Sequence, residues 1–430
     1  MQKFDKNKIH RILTVANETE YYRNIFNKNY IDIASIHSYD DFQKIPITTK
    51  EDYRNNSLEF LRNSIRKKID EDILCLRYND FIKYDKILGD AGLNMVITSG
   101  STGLPLKVIH SNEDDIRNYF ILNLYRKRNT RLSFSDKYLW ILPMNEKTKC
   151  YFYSVKENYL IKPNGIEYFL ASYSKEKISE LHKIVWQQKI KWLTGSPTAV
   201  AEYAKYLSDN GIKSEVIYIE LHSEPLLTWQ RDLIERSFYA QIECVYSSNE
   251  VNFIAATYPC GHYHVLEENV FVELIDSDSN IIAKKVIITG LNYFDTPMIR
   301  YEIGDMAREI ICDERYDFAF ELCGYRSSDY ILFEDGEKFE PYVIYDSVFF
   351  LSEHFDLNIE YYQVIQNTYD SLVYFIEVHM NREKINICKK FLEEFLYTAF
   401  SKTIKIDIVA EITLQKDIKK KYKRFVSLVK

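Results

Sequence analysis

NMVITSGSTGLPLKVIH, residues Asn94 to His110, sets four hydroxyl side chains and two glycines between two apolar runs. Met95-Val96-Ile97 has the character of a short strand and Val108-Ile109 that of the next, with Lys107 inside it. The connecting Thr98-Ser99-Gly100-Ser101-Thr102-Gly103 offers hydroxyls, glycines that admit close backbone approach, and amides able to form a concave anion site. The chain has only 12 glycines in 430 residues, so two within this loop mark it out. Two readings stay open at this level, a phosphate-binding loop and an ordinary Ser/Thr/Gly turn. A P-loop is excluded, because no Gly-Lys-Ser/Thr opens a helix here.

Outward from the loop the chain alternates. Lys137 to Pro143 reads as a buried strand, Ser174 to Ile190 as an amphipathic helix through Ile178, Leu181 and Val185, and Ile190 to Leu193 as a strand. Thr198 to Leu207 then reads as a helix stopped by Gly211, Val216 to Leu221 as a strand, Pro225 to Phe238 as a helix and Gln241 to Tyr246 as a strand. This alternation predicts a mixed α/β fold in which helices cover parallel sheets, with ligands at the polar loops on the strand ends. The first ninety residues read as helical and charged, interrupted at Tyr21-Tyr22 and at Ile45-Pro46-Ile47-Thr48-Thr49-Lys50. After about Val270 strands follow without long helices, as in a β-barrel-like subdomain. From about Tyr330 a smaller α+β piece ends in a basic tail.

Composition narrows the function classes. With 46% hydrophobic residues the chain can build a real core. A formal charge of −7 gives no global basic field for nucleic acid. No apolar run approaches the roughly 18 residues of a membrane span, and Met1-Gln2-Lys3-Phe4-Asp5 opens no secretory signal. Seven scattered cysteines form no disulfide framework, so a cytoplasmic location is expected.

Four further stretches carry weak signals singly. Tyr246-Ser247-Ser248-Asn249-Glu250 puts a carboxylate after a strand, and Thr296-Pro297-Met298-Ile299-Arg300-Tyr301 reads as a strand ending in a Gly304-Asp305 turn. Tyr325-Arg326-Ser327-Ser328-Asp329 falls at the change of texture, and Lys419-Lys420-Lys421-Tyr422-Lys423-Arg424 closes the chain with a run that by itself suits a solvated face. Taken in order with the opening loop, the set resembles the adenylate-forming acyl-CoA synthetase superfamily, in its branch of phenylacetate-CoA ligases and capsular-polysaccharide ligase-like proteins. TSGSTGLPLK resembles that family's phosphate loop, YSSNE its aromatic-to-glutamate motif, PMIRYEIGD its ribose motif, YRSSD its hinge and KYKR its terminal lysine motif. HSEPL (222–226) resembles the adenine-side segment, while TGSPTAVAEYAKYL (194–207) and PITTK (46–50) are typical of the branch. Ser247, Asn249, Tyr325 and Lys420 depart from the pattern, at positions that bear on substrate choice and hinge mechanics more than on nucleotide binding.

The resemblance implies a large domain, 1–327, for ATP and the acid, and a small mobile domain, 328–430, carrying the catalytic lysine. It implies an AMP-forming acid–thiol ligase: a carboxylic acid is activated as acyl-AMP with release of pyrophosphate, then passed to coenzyme A. A carrier-protein phosphopantetheine or an amine is the alternative acceptor, and a catalytically reduced nucleotide-binding module the alternative function. Lys421, Glu250 and Lys107 are the implied catalytic residues. Thr98, Ser99, Gly100, Ser101, Thr102, Gly103, Glu224, Pro225, Tyr246, Ser247, Ser248, Asn249, Asp305 and Arg326 are the implied nucleotide contacts. Glu250 would help to hold Mg2+, Asp305 would take the ribose hydroxyls and Arg326 would support the ribose or phosphate side. Cys260, His264 and Cys312 are candidate zinc ligands, although no C-x-x-C pair is present and ordinary cysteines are the favoured reading. Oligomeric state stays open.

Overall fold

The structure is a computed structural model and describes residues 2–69, 88–97, 106–133, 135–143, 157–257, 260–276, 283–310, 312, 318–326, 331–339, 342–357, 359, 361–410 and 424–429. The chain forms two compact units: residues 1–226 with 232–322, and residues 323–430 with 227–231.

The larger unit begins with helices α1 (Lys6–Ala16), α2 (Glu20–Lys28) and α3 (Lys50–Asn56). Tyr21 and Tyr22 lie inside α2 rather than interrupting a helical region. Thr19 caps this helix, Tyr22 is buried against Phe26 and Phe60 and Tyr21 against Phe60, so tertiary burial holds an aromatic pair of modest helix propensity. PITTK does break the helical run: Thr48 bridges Tyr301 in parallel, and Thr49 opens α3 through a capping box with Asp52.

Next come strands β1 (Leu93–Ile97) and β2 (Lys107–Ser111), an antiparallel hairpin in which Val96 faces Val108. Helix α4 (Asn112–Asn129) follows, an element that apolar periodicity does not reveal. Its signals are terminal: Ser111 accepts from the Asp114 amide, acidic residues fill the first turn, and Arg126, Lys127 and Arg128 fill the last.

A sheet of twelve described strands runs through this unit in the order β11-β12-β13-β14-β10-β9-β8-β7-β6-β3-β5-β4. Its parallel part is built from β3 (Tyr138–Pro143), β5 (Gly165–Leu170), β6 (Trp192–Gly195), β7 (Tyr218–Leu221) and β8 (Gln241–Ser248). Helices α5 (Lys175–Gln187), α6 (Pro197–Asp209) and α7 (Thr228–Phe238) connect these strands, close to the alternation read from sequence. Beyond β8 the sheet turns antiparallel through β9 (Asn252–Thr257), β10 (Tyr263–Val265), β11 (Val270–Asp276), β12 (Lys284–Gly290), β13 (Tyr301–Ile310) and β14 (Ala319–Arg326). Strand β4 (Tyr159–Lys162) pairs antiparallel at the far edge.

One expectation is corrected here. Residues 296–300 are not a strand leading to a Gly-Asp turn; β13 starts at Tyr301, and Gly304-Asp305 lie within it. Gly304 takes φ +85°, a conformation that lets the strand bulge and continue.

The smaller unit holds a four-stranded sheet, which together with helices α8 (Tyr342–Phe355) and α9 (Arg382–Phe400) shares one apolar core including Leu351, Tyr374, Cys388 and Leu392.

Candidate active site

Two irregularities in the sheet ladder bring the separate sequence motifs together. Across β12 and β13, Lys285 pairs with Met306 and Ile287 with Glu302, so Ile303, Gly304 and Asp305 stand opposite Val286 alone. Across β8 and β9 the register shifts between Tyr246 and Ser247. Bulges of this kind re-aim side chains. The Tyr246 hydroxyl donates to Asp305 Oδ2 at 2.8 Å, joining residues 59 positions apart. Glu250, in the turn after β8, is only 3% exposed. It accepts a hydrogen bond from the Tyr301 hydroxyl at 3.0 Å, and Lys50 Nζ lies 3.7 Å from its Oε1.

The PITTK stretch supplies that lysine for a structural reason. The Thr48 amide donates to the Arg300 carbonyl and the Glu302 amide donates to the Thr48 carbonyl, which pins the stretch beside the bulged strand. Ser248 Oγ accepts from the amides of Glu250 and Val251, so this motif serine shapes the turn presenting Glu250. Glu224 accepts from the Thr198 amide at 2.7 Å and so caps α6, while Pro225 is exposed beside it.

Asp115 ties down the β1–β2 hairpin that flanks the opening loop. Burial alone would raise its carboxyl, but donors from His110, Asn94 and Asn252 hold it below the usual carboxylate range. Asp114 accepts from the amides of Phe294 and Asp295; burial is the larger influence there and pushes its carboxyl up to about 6.

A cavity of ≈ 640 Å³ opens between α4 and one face of the parallel strands, bordered by Ser247, Ser248 and Asn249. Across its floor Arg126 makes a two-pronged ion pair with Glu220, at 2.8 and 2.7 Å. Burial opposes the charge on both partners, yet their mutual attraction holds Glu220 below and Arg126 above their usual values. Glu243 sits behind them on Tyr218 and Gln241, and burial raises its carboxyl to about 7.

Cys260, His264 and Cys312 gather so that their ligand atoms all lie within 4.8 Å of one another. The sulfur of Cys260 is 3.1 Å from His264 Nε2. This donor set and spread fit one zinc ion, whose bonds to sulfur and nitrogen are about 2.3 and 2.0 Å.

Thr98 to Gly103, Ser328, Asp329 and Lys421 lie outside the described residues. Lys107 begins β2 and Arg326 ends β14, both without described side chains. Lys50, Asp115, Arg126 and Glu220 escape a sequence reading. Only the capping signals of α4 and the lysine closing PITTK pointed toward them.

No family model matches the chain. It is 23% identical over 399 residues to Protein CapK of Staphylococcus aureus, spanning 89% of this chain and 79% of that protein. A solved structure of 2-hydroxyisobutyryl-CoA ligase, in the postadenylation state in complex with R3-HIB-AMP, superposes with a TM-score of 0.66 at 13% identity, covering 98% of this chain and 88% of that one. An acyl acid amido synthetase in complex with 2,4-DB superposes with a TM-score of 0.60 at 15% identity, covering 99% and 95%. Superpositions of this extent show that the chain has the fold of the adenylate-forming ligases.

Proposed function

We propose that the chain activates a carboxylic acid with ATP. The observation that carries this reading is the meeting of Tyr246 with Asp305 and of Glu250 with Tyr301, which joins two motifs that the sequence keeps apart. In the reaction a carboxylate oxygen attacks the α-phosphorus of ATP and forms an O–P bond. The bond to the bridging oxygen breaks, its electron pair leaves with pyrophosphate, and acyl-AMP remains. A thiol, most simply that of coenzyme A, then attacks the acyl carbon; AMP leaves with the C–O electron pair and the thiol proton passes to solvent.

Such a reaction needs positioned donors and cations rather than a nucleophilic side chain. Asp305, an acceptor, would take the ribose hydroxyls, with Tyr246 fixing its orientation. Amides and hydroxyls of residues 98–103 would hold phosphate oxygens, with Lys107 close by in sequence, and Arg326 would support the ribose or phosphate side. Lys421 would neutralise charge that grows at the α-phosphate. Glu250 would offer a carboxylate to a Mg2+ shared with nucleotide phosphates, and the ion would supply charge neutralisation there. Zinc at Cys260, His264 and Cys312 would be structural. Residues 328–430 would turn between the two half-reactions. An amine acceptor is the second reading, favoured by the near full-length superposition on an amido synthetase.

Pyrophosphate exchange into ATP, driven by added acids, tests the reading. The chain should catalyse it, and Asp305→Ala should weaken ATP use by about 1.5–3 kcal/mol per lost charge-assisted bond. Exchange that is absent, or that survives unchanged with Asp305→Ala and with 2′-deoxy-ATP, would overturn it. Metal analysis of the same protein should find about one zinc per chain, removed by Cys260→Ser; a metal-free chain would reject the zinc assignment.

A further inference from the structure

Ligand cavities for small acids are mostly apolar with a few placed polar groups. The cavity beside Ser247, Ser248 and Asn249 is built differently. Its floor carries the Arg126–Glu220 pair, with side chains 12% and 3% exposed, and its rim carries Lys162 and Glu167, 3.3 Å apart. Thr194 lines it from β6. Trp140 lines it from β3, and its indole N–H is buried with no hydrogen-bond partner among the described residues. A buried donor of this kind is normally matched by an acceptor. Filling the space with an alkyl chain or a bare ring would take the partly exposed Lys162–Glu167 pair out of water and leave the indole N–H unmatched. An occupant with its own hydrogen-bonding groups avoids both costs.

We infer that the acid taken by this cavity is hydrophilic, carrying hydroxyl or ammonium groups besides its carboxylate, and is neither a fatty acid nor an unsubstituted aryl acid. This rests on the adenylation reading for the role of the cavity, and on the lining for the class of acid. Asn123 donates no proton to this pair; its side-chain oxygen accepts from Arg126 Nη1 at 2.8 Å and fixes the guanidinium plane against which such an acid would sit.

The experiment is pyrophosphate exchange by the full chain with two panels at equal concentration: gluconate, lactate, alanine and glutamate against octanoate, benzoate and phenylacetate. The hydrophilic panel should contain the best substrate, by at least about tenfold in kcat/KM, and Trp140→Phe and Arg126→Met should lower that value about tenfold or more. Preference for the apolar panel overturns the inference while leaving adenylation intact. Silence from both panels removes the adenylation reading, and saturation-transfer NMR of the same acids then decides on the cavity alone. Signals from hydrophilic acids that fade in Trp140→Phe uphold the inference; signals from apolar acids only, or from none, overturn it.

Discussion

Arg300–Glu273 and Arg126–Glu220 are the same pair of groups in two settings. Each is a buried, two-pronged guanidinium–carboxylate contact, with distances of 3.0 and 3.0 Å in the first and 2.8 and 2.7 Å in the second. Around Arg300 everything closes inward. Its remaining nitrogen donates to the carbonyls of Gln43 and Ile45, and Tyr39 donates to Glu273, so the pair fastens residues 39–45 to β11 and to the stretch just before β13. Arg126 instead lies over the Trp192 ring and borders a cavity together with Glu220. A buried pair is by itself weak evidence of stability. The difference in surroundings separates a fastening inside the core from a pair in the wall of a cavity.

The hardest way to break this comparison is Arg300→Met. It strands Glu273 with no route to water and should cost about 3–5 kcal/mol of stability, read from urea unfolding. A loss as small as that of an exposed pair would mean that Arg300 is no fastening. Arg126→Met should cost less, about 1–3 kcal/mol, because Glu220, unlike Glu273, borders a cavity that water can enter. Equal losses in the two variants would erase the distinction.

The smallest effect sharpens it. Glu243 belongs to the Arg126 group without a cation of its own, and burial raises its carboxyl from 4.5 to about 7. A raised carboxyl keeps its proton in the folded state after the unfolded chain has released it. Stability from this group is therefore full below about pH 4.5 and is lost as pH rises through about 7. Glu243→Gln should flatten the decline between about pH 5 and 8 by on the order of 1–3 kcal/mol. Asp114, raised to about 6, titrates in both proteins and cancels in the difference. Parallel pH profiles would show that Glu243 is ionised in the fold.

The sequence by itself determined most of the strand and helix alternation from Lys137 to Tyr246, because hydrophobic periodicity and caps are local properties; β4 and β5 escaped it. It also determined the order of motifs, since each of them is a particular set of residue types in a short stretch. Its misreadings were local signals that long-range packing overrode. Tyr21-Tyr22 became helical on burial against Phe60, and Gly304-Asp305 became a bulge inside β13 because Lys285 and Ile287 hold the register on either side. Only the tertiary structure decided that Lys50 meets Glu250, that Tyr246 meets Asp305, and that Arg126 on α4 meets Glu220 on β7. Those meetings depend on sheet order, register and bulge placement, which are set by packing among residues tens to hundreds of positions apart and leave no periodic trace in the chain.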